Sequence, residues 1–232
     1  MKVLTIDSAT MVAGVSIVDE NRLIGELTVN YQKTHSEKLL TAVDHLLQDV
    51  GLGINDMDAF GVVSGPGSFT GLRIGMATAK GFAQALNKPM VTISTLESLA
   101  HNLNHATGLV CPILDAQRNQ VYSAIYRGVG DGHLEALCPE QAIGIEKLVE
   151  LLQGYGEQKT YLVGDGIARF AEQISDALAQ TVVATHQHAI NRAGSAGVLA
   201  YRRFLQGKTC RYDQATLTYL RPSYAEEKHH EL

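Results

Sequence analysis

At 232 residues, the chain has room for one large domain or two small ones, and its 45% hydrophobic content is enough to fill real cores. No apolar run reaches the roughly 18 to 20 residues that span a bilayer, Met1-Lys2 leads straight into a strand pattern, and the expected location is cytoplasmic. The net charge of −5 sets the overall field against phosphate backbones, and three widely spaced cysteines without a Cys-x-x-Cys exclude a disulfide framework and a thiolate zinc site.

The first thirty residues alternate as three short strands, Lys2 to Asp7, Ala13 to Asp19 and Arg22 to Asn30, with a turn at Asp19-Glu20-Asn21. From Ser36 to Val50 the apolar positions, Leu39, Val43 and Leu46 among them, share one helical arc of about 120°. Such a helix covers a sheet. A strand over Ala59 to Ser64, a helix over Ser68 to Leu86, a strand over Met90 to Ile93 and a helix over Thr95 to Asn104 follow, so the order is βββαβαβα. A second, smaller unit opens near Ala106 with a hairpin, Leu109 to Leu114 and Gln120 to Tyr126. It continues with a helix over Ile145 to Leu152, a strand over Tyr161 to Val163, and helices over Ile167 to Leu178 and Ala189 to Leu205. The expected division is 1–105, 106–210 and a C-terminal segment 211–232, whose return onto the first domain is left open.

Residues 64 to 75, SGPGSFTGLRIG, hold four glycines in twelve positions. The stretch lacks the Gly-Lys pair of a P-loop, and Thr70 stands where the dinucleotide fingerprint has its third glycine. What remains is a tight turn with Ser68 as N-cap, and a helix start that attracts anions. Within the helix Gly67, Gly71, Gly75, Ala79 and Ala83 recur every four residues, a spacing that lets another backbone approach closely. Only Arg73, Lys80 and Gln84 form a polar arc, so the helix is apolar on more sides than a sheet-covering helix needs. The excess points to a second packing partner: a neighbouring helix or another subunit.

IDSAT at 6 to 10, HSEKLL at 35 to 40, SGPGSFTGLRIGMATAKGFA at 64 to 83, STLESLA at 94 to 100, the Asp115-Ala116 turn and YLRPSYAE at 219 to 226 together resemble the bacterial TsaB (YeaZ) family. The resemblance implies the actin/hexokinase/Hsp70-like ATPase fold, an α/β architecture of two ribonuclease-H-like halves with the second reduced. It also implies a non-catalytic subunit for threonylcarbamoyl transfer to the adenosine beside the anticodon of tRNAs that read codons beginning with A. Such a subunit pairs with the catalytic paralogue TsaD, helps recruit the ATPase TsaE, forms a homodimer when alone and meets tRNA through the complex. The expected interface is Leu39, Val43, Leu46, Phe69, Gly71, Leu72, Gly75, Met76 and Ala79. Asp7, Ser8, Gly65, Gly67 and Ser68 are the positions that would lie near a nucleotide phosphate in such a fold. No cofactor is expected to be required, with ATP or ADP near an interdomain cleft or the complex interface as the alternative.

The catalytic paralogue carries a metal-binding H-x-x-x-H where this chain has Thr95 and Leu99, neither of which replaces an imidazole. His101 and His105 are spaced i, i+4, but two ligands do not make a site. Family members commonly have Asp-Ala-Arg where this chain reads Asp115-Ala116-Gln117, which leaves any role of that arginine in doubt unless Arg118 substitutes. The rival functions are a self-sufficient ATP-dependent transferase or kinase-like enzyme with Asp7 as its metal-organising carboxylate, and a peptidase. Neither G-x-S-x-G nor H-E-x-x-H is present for the latter.

Overall fold

The computed structural model describes residues 1–30, 35–129 and 132–221, with only the backbone of 35–38. The first four side chains of the HSEKLL motif and the end of the YLRPSYAE motif lie outside what is described. Among the described residues the chain divides into two units, 1–98 with 191–217, and 99–190 with 218–221.

In the first unit β1 (Lys2–Asp7), β2 (Val12–Asp19) and β3 (Leu23–Asn30) form an antiparallel meander. Strands β4 (Ala59–Gly65) and β5 (Met90–Ser94) then add in parallel on the other side of β1, for the order β3-β2-β1-β4-β5. β4 is buried along its whole length because both sheet faces are covered. On one face, α1 (His35–Val50) and α2 (Phe69–Leu86) pack Leu39, Val43, Leu46, Met76 and Ala79 onto Leu4, Ile6, Val15 and Ile17. On the other, α7 (Ala193–Leu205) lays Ala196, Leu199 and Ala200 against Val3, Val18 and Val91.

That last helix corrects the expected division at residue 210. Residues 191–217 belong to the first unit: α7 is the second cover of its sheet, Cys210 pairs with Met90 at the β5 edge, and Ala215 and Leu217 join the core. A sheet with two apolar faces needs two covers, and the second arrives from far along the sequence.

In the second unit β6 (Thr107–Asp115), β7 (Gln120–Val129) and β8 (Leu134–Gly144) form the meander, and β9 (Thr160–Val163) and β10 (Thr181–Val183) add in parallel beside β6. The order β10-β9-β6-β7-β8 reproduces the first sheet's topology strand for strand. The second half is therefore reduced only in its helices, α4 (Ile145–Gln153), α5 (Ile167–Ala177) and the four-residue α6 (His186–Ala189). Between β5 and β6, α3 (Thr95–His101) carries the chain from one unit to the other.

Candidate functional site

Because β1 and β4 are parallel neighbours, the turn after β1 and the glycine loop after β4 emerge at the same, carboxyl end of the sheet. The five residues expected near a phosphate do meet there, and they bond within the chain. The Ser68 N–H donates to the Ala9 carbonyl at 2.7 Å, and Ser68 Oγ caps α2 by accepting from the Gly71 N–H at 3.3 Å. Ser8 Oγ donates to the Gly71 carbonyl at 2.8 Å.

The glycines are there for contact. A Cβ on Gly67 would lie 2.1 Å from the Ala9 carbonyl oxygen, one on Gly71 2.1 Å from the Ser8 carbonyl oxygen, and one on Gly75 2.3 Å from Ser8 Oγ. Gly65, at φ +125°, adopts a conformation that only glycine takes without strain. The loop that looked like an anion cradle thus faces carbonyl oxygens of its own hairpin, which repel an anion at close range.

Asp7 is buried beside this seat. Its carboxylate accepts the Ala9 N–H and Asn191 Nδ2–H, both at 3.0 Å, and Asn191 Oδ1 accepts from Thr10 Oγ1 at 3.2 Å. Desolvation raises the Asp7 pKa above the ordinary carboxylate range, and the two hydrogen bonds oppose the rise. The aspartate ties the hairpin to the start of the returning segment. No sequence pattern linked Asp7 to Asn191, because the bond spans 184 residues.

Of the nine expected interface residues, Leu39, Val43, Leu46, Gly71, Leu72, Gly75, Met76 and Ala79 are buried inside the first unit, and only Phe69 is exposed. The small-residue face of α2 is occupied by the chain's own β1–β2 turn, so Gly71 and Gly75 meet that turn and not a partner. What α1 and α2 turn outward is different. Leu40 is 55% exposed, at the rim of a cavity of about 340 Å³ lined also by Val43, Leu47, Leu52, Ile54 and Phe82. Arg73 stacks over the exposed Phe69 ring at 3.6 Å. The sequence does not single out Leu40, because it shares the apolar arc of α1 with the buried Leu39, and Leu47 follows Leu46 in the same way.

Thr95 and Leu99, at the paralogue's metal-ligand positions, are both fully buried on α3, and Thr95 Oγ1 has no hydrogen-bond partner among the described atoms. α3 ends at His101, short of His105, in keeping with the reading that the i, i+4 spacing makes no site; His101 Nε2 sits 3.3 Å from Asn104 Nδ2. Among the described residues no group of three or more His, Cys, Asp or Glu side chains is placed to hold a metal ion.

In the second unit, the departure at Gln117 lies in a hairpin turn where Gln117, Arg118 and Asn119 all have positive φ, from 52° to 64°. Asp115 Oδ1 accepts the Gln117 N–H at 2.8 Å and Asp115 also pairs with Arg169 at 3.3 Å, while Arg221 donates to the Ala116 carbonyl at 2.9 Å. A guanidinium therefore does reach this turn, from the YLR segment rather than from position 117.

The family model described as TsaD, tRNA N6-adenosine threonylcarbamoyltransferase, matches residues 24–231. The chain is 35% identical over 178 residues to the Bacillus subtilis tRNA threonylcarbamoyladenosine biosynthesis protein TsaB, covering 77% of each. It is 29% identical to the Escherichia coli protein of the same name over 98% of both chains. The chain belongs to the TsaB (YeaZ) branch of this family. The solved structure of YeaZ from Pseudomonas aeruginosa superposes with a TM-score of 0.82 at 24% identity, covering 94% of this chain and 99% of that one, so the fold is that of the TsaB proteins. This is the actin/hexokinase/Hsp70-like α/β fold, and its two ribonuclease-H-like sheets are the repeated five-stranded orders described above. Among the described residues no helix is long and apolar enough to cross a membrane.

Proposed function

We propose that this TsaB-family chain is the non-catalytic subunit required for threonylcarbamoyl transfer to tRNA, and that it acts by holding a TsaD-like catalytic paralogue. The observation that carries the reading is the pair Thr95 and Leu99: apolar or neutral, fully buried, and in the place of the paralogue's imidazole ligands. A chain that keeps the fold but fills the ligand positions with core residues serves by its surface.

The docking face in this reading is the outward side of α1 and α2, with Leu40, the cavity behind it and the Phe69–Arg73 stack as anchors. An exposed leucine at an apolar hollow is the kind of surface feature that marks a protein–protein contact, and arginine is enriched among hot-spot residues. The same face closes a homodimer when the chain is alone, since a patch of this kind associates. A TsaE-like ATPase joins the assembled pair, tRNA is met through the complex, and the chain itself requires no nucleotide.

The test is threonylcarbamoyl transfer from preformed threonylcarbamoyl adenylate to unmodified tRNA, with TsaD-like and TsaE-like proteins present and this chain added or withheld. Transfer should depend on the chain, which alone transfers nothing and turns over no nucleotide. Transfer at full rate without it, or turnover by the lone chain, would overturn the reading in favour of a self-sufficient enzyme.

A further inference from the structure

The overall charge of −5 conceals an uneven distribution along the chain. Between Asp58 and Glu97 there is no acidic residue but three cations, Arg73, Lys80 and Lys88. From Asn191 to Tyr212 there are again no acids, and five cations. The fold puts these two segments side by side: Cys210 exchanges both backbone hydrogen bonds with Met90 at 2.9 Å, and Arg203 donates to the Thr92 carbonyl at 2.6 Å.

Several of these cations are neutralised or stacked. Arg192 pairs with Glu26, Arg203 with Glu97, Arg211 with Asp213, and Arg73 lies over Phe69. Lys80, Lys88 and Lys208 have no anionic partner among the described residues. Of the three, Lys88 lines a polar cavity of about 280 Å³, together with Asn87, Thr209, Arg211, Tyr212 and Gln214. Lys208 directly precedes this wall, and Lys80 is near enough to Cys210 for its charge to oppose the burial that raises that thiol's pKa. Lys80 lies within α2 and Lys88 two residues beyond its end, with no acidic residue between them.

We infer that this edge of the first unit, with Lys80, Lys88 and Lys208 as its charges, is a contact surface for the phosphate backbone of tRNA. Unpaired lysines are free to replace the cations condensed on nucleic-acid phosphates, and the release of those cations drives association in dilute salt. Amide and hydroxyl groups such as Asn87, Thr209 and Gln214 supply the hydrogen bonds that backbone contacts use, and Tyr212 offers a ring face beside Arg211. The face reads no sequence; it adds affinity and orientation while chemistry takes place on another subunit. The choice of tRNA as the polyanion rests on the proposed function, whereas the charge distribution does not.

The test titrates fluorescently labelled, unmodified tRNA with the chain assembled with its TsaD-like partner over a range of salt concentrations, comparing the native chain with Lys80→Gln/Lys88→Gln/Lys208→Gln. The variant should bind at least about tenfold more weakly at low salt, and its slope of log affinity against log salt should be shallower by about 2 to 3. Its urea midpoint and its elution with the partner should be unchanged. Equal affinity and equal slope would overturn the inference while leaving the subunit reading intact. So would a variant that loses a protein partner in the absence of RNA, which would assign the lysines to an acidic protein surface. A chain that proves dispensable for transfer would sink the subunit reading separately, since the tRNA titration is read without catalysis.

Discussion

Helices α2 and α7 cover opposite faces of the first sheet, and each lowers a glycine onto a buried serine, Ser8 just past β1 and Ser16 in the middle of β2. Gly75 of α2 leaves a Cβ's width above Ser8 Oγ, and Gly197 of α7 does the same above Ser16 Oγ, with distances of 2.3 and 2.4 Å from an added Cβ. Both serines also donate to carbonyls of the helix lying over them, Ser8 to Gly71 and Ser16 to Ala193. The similarity is local; the difference is at the amino ends. At its start α2 is seated on backbone, with Gly67 and Gly71 against the Ala9 and Ser8 carbonyls, whereas α7 meets side chains that can move. A stripe of small residues thus records how close a neighbour comes, and does not say whether that neighbour is another protein.

The comparison ranks the substitutions. Gly71→Ala is expected to be the most damaging, because its Cβ would meet the Ser8 carbonyl oxygen, which cannot rotate away. A stability loss of about 3 kcal/mol in urea unfolding follows from overpacking against fixed backbone. Gly75→Leu belongs to the same class: loss of partner association by that variant would report a damaged fold.

Next come Gly75→Ala and Gly197→Ala. Here about 1 kcal/mol of gained helix propensity offsets part of the clash with a serine hydroxyl, leaving a net loss of about 1 kcal/mol. In a Ser8→Ala background Gly75→Ala should become neutral or stabilising, since the clashing oxygen is gone, whereas Gly197→Ala in a Ser16→Ala background still meets Val18 Cγ2 at 2.9 Å and should recover only in part. Strict additivity in those double-mutant cycles would contradict the packing described here.

A smaller effect is expected at Asp7. Its pKa is raised in the folded chain by burial, so the folded state binds this proton more tightly than the unfolded one. The resulting stabilisation is fully present at low pH and is lost as pH rises from the ordinary carboxylate range through the raised value. Asp7→Asn removes the titration and should flatten that part of the stability profile, as followed by urea midpoints at successive pH values. A profile unchanged in shape would mean that Asp7 does not carry the dependence.

Much of the first unit was legible because its signals are local. The meander, the arc of α1 and the Ser68 cap each lie within a few residues, and the expected order βββαβαβα matches the strands and helices found. The crowding of α2 was legible too, but its partner was not: what fills the space is the Ser8-Ala9 backbone, some sixty residues upstream, and an empty face and a filled one look alike on a helical wheel. α7 was read as a helix and placed with the wrong sheet, for its alanines and glycines carry no sign of which sheet they cover. β8 was missed because Pro139 and the charges Glu135 and Glu140 make it read as a loop, which is how edge strands avoid pairing with other chains. β10, with three residues, carries too short an alternation to recognise.

The central claim is that α1 and α2 serve two sides at once: the small-residue side holds the chain's own hairpin, and the outward side, at Leu40, holds the partner. Leu40→Glu changes an exposed residue, and its unfolding free energy in urea should stay within about 0.5 kcal/mol of the native chain's. The measurement that tests the claim most directly is calorimetric titration of this variant with the TsaD-like subunit. The account predicts affinity lowered by two or more orders of magnitude, the scale of losing a hot-spot anchor and burying a charge, at about 3 kcal/mol. Native affinity in a fully folded Leu40→Glu chain would contradict it and move the partner to another face.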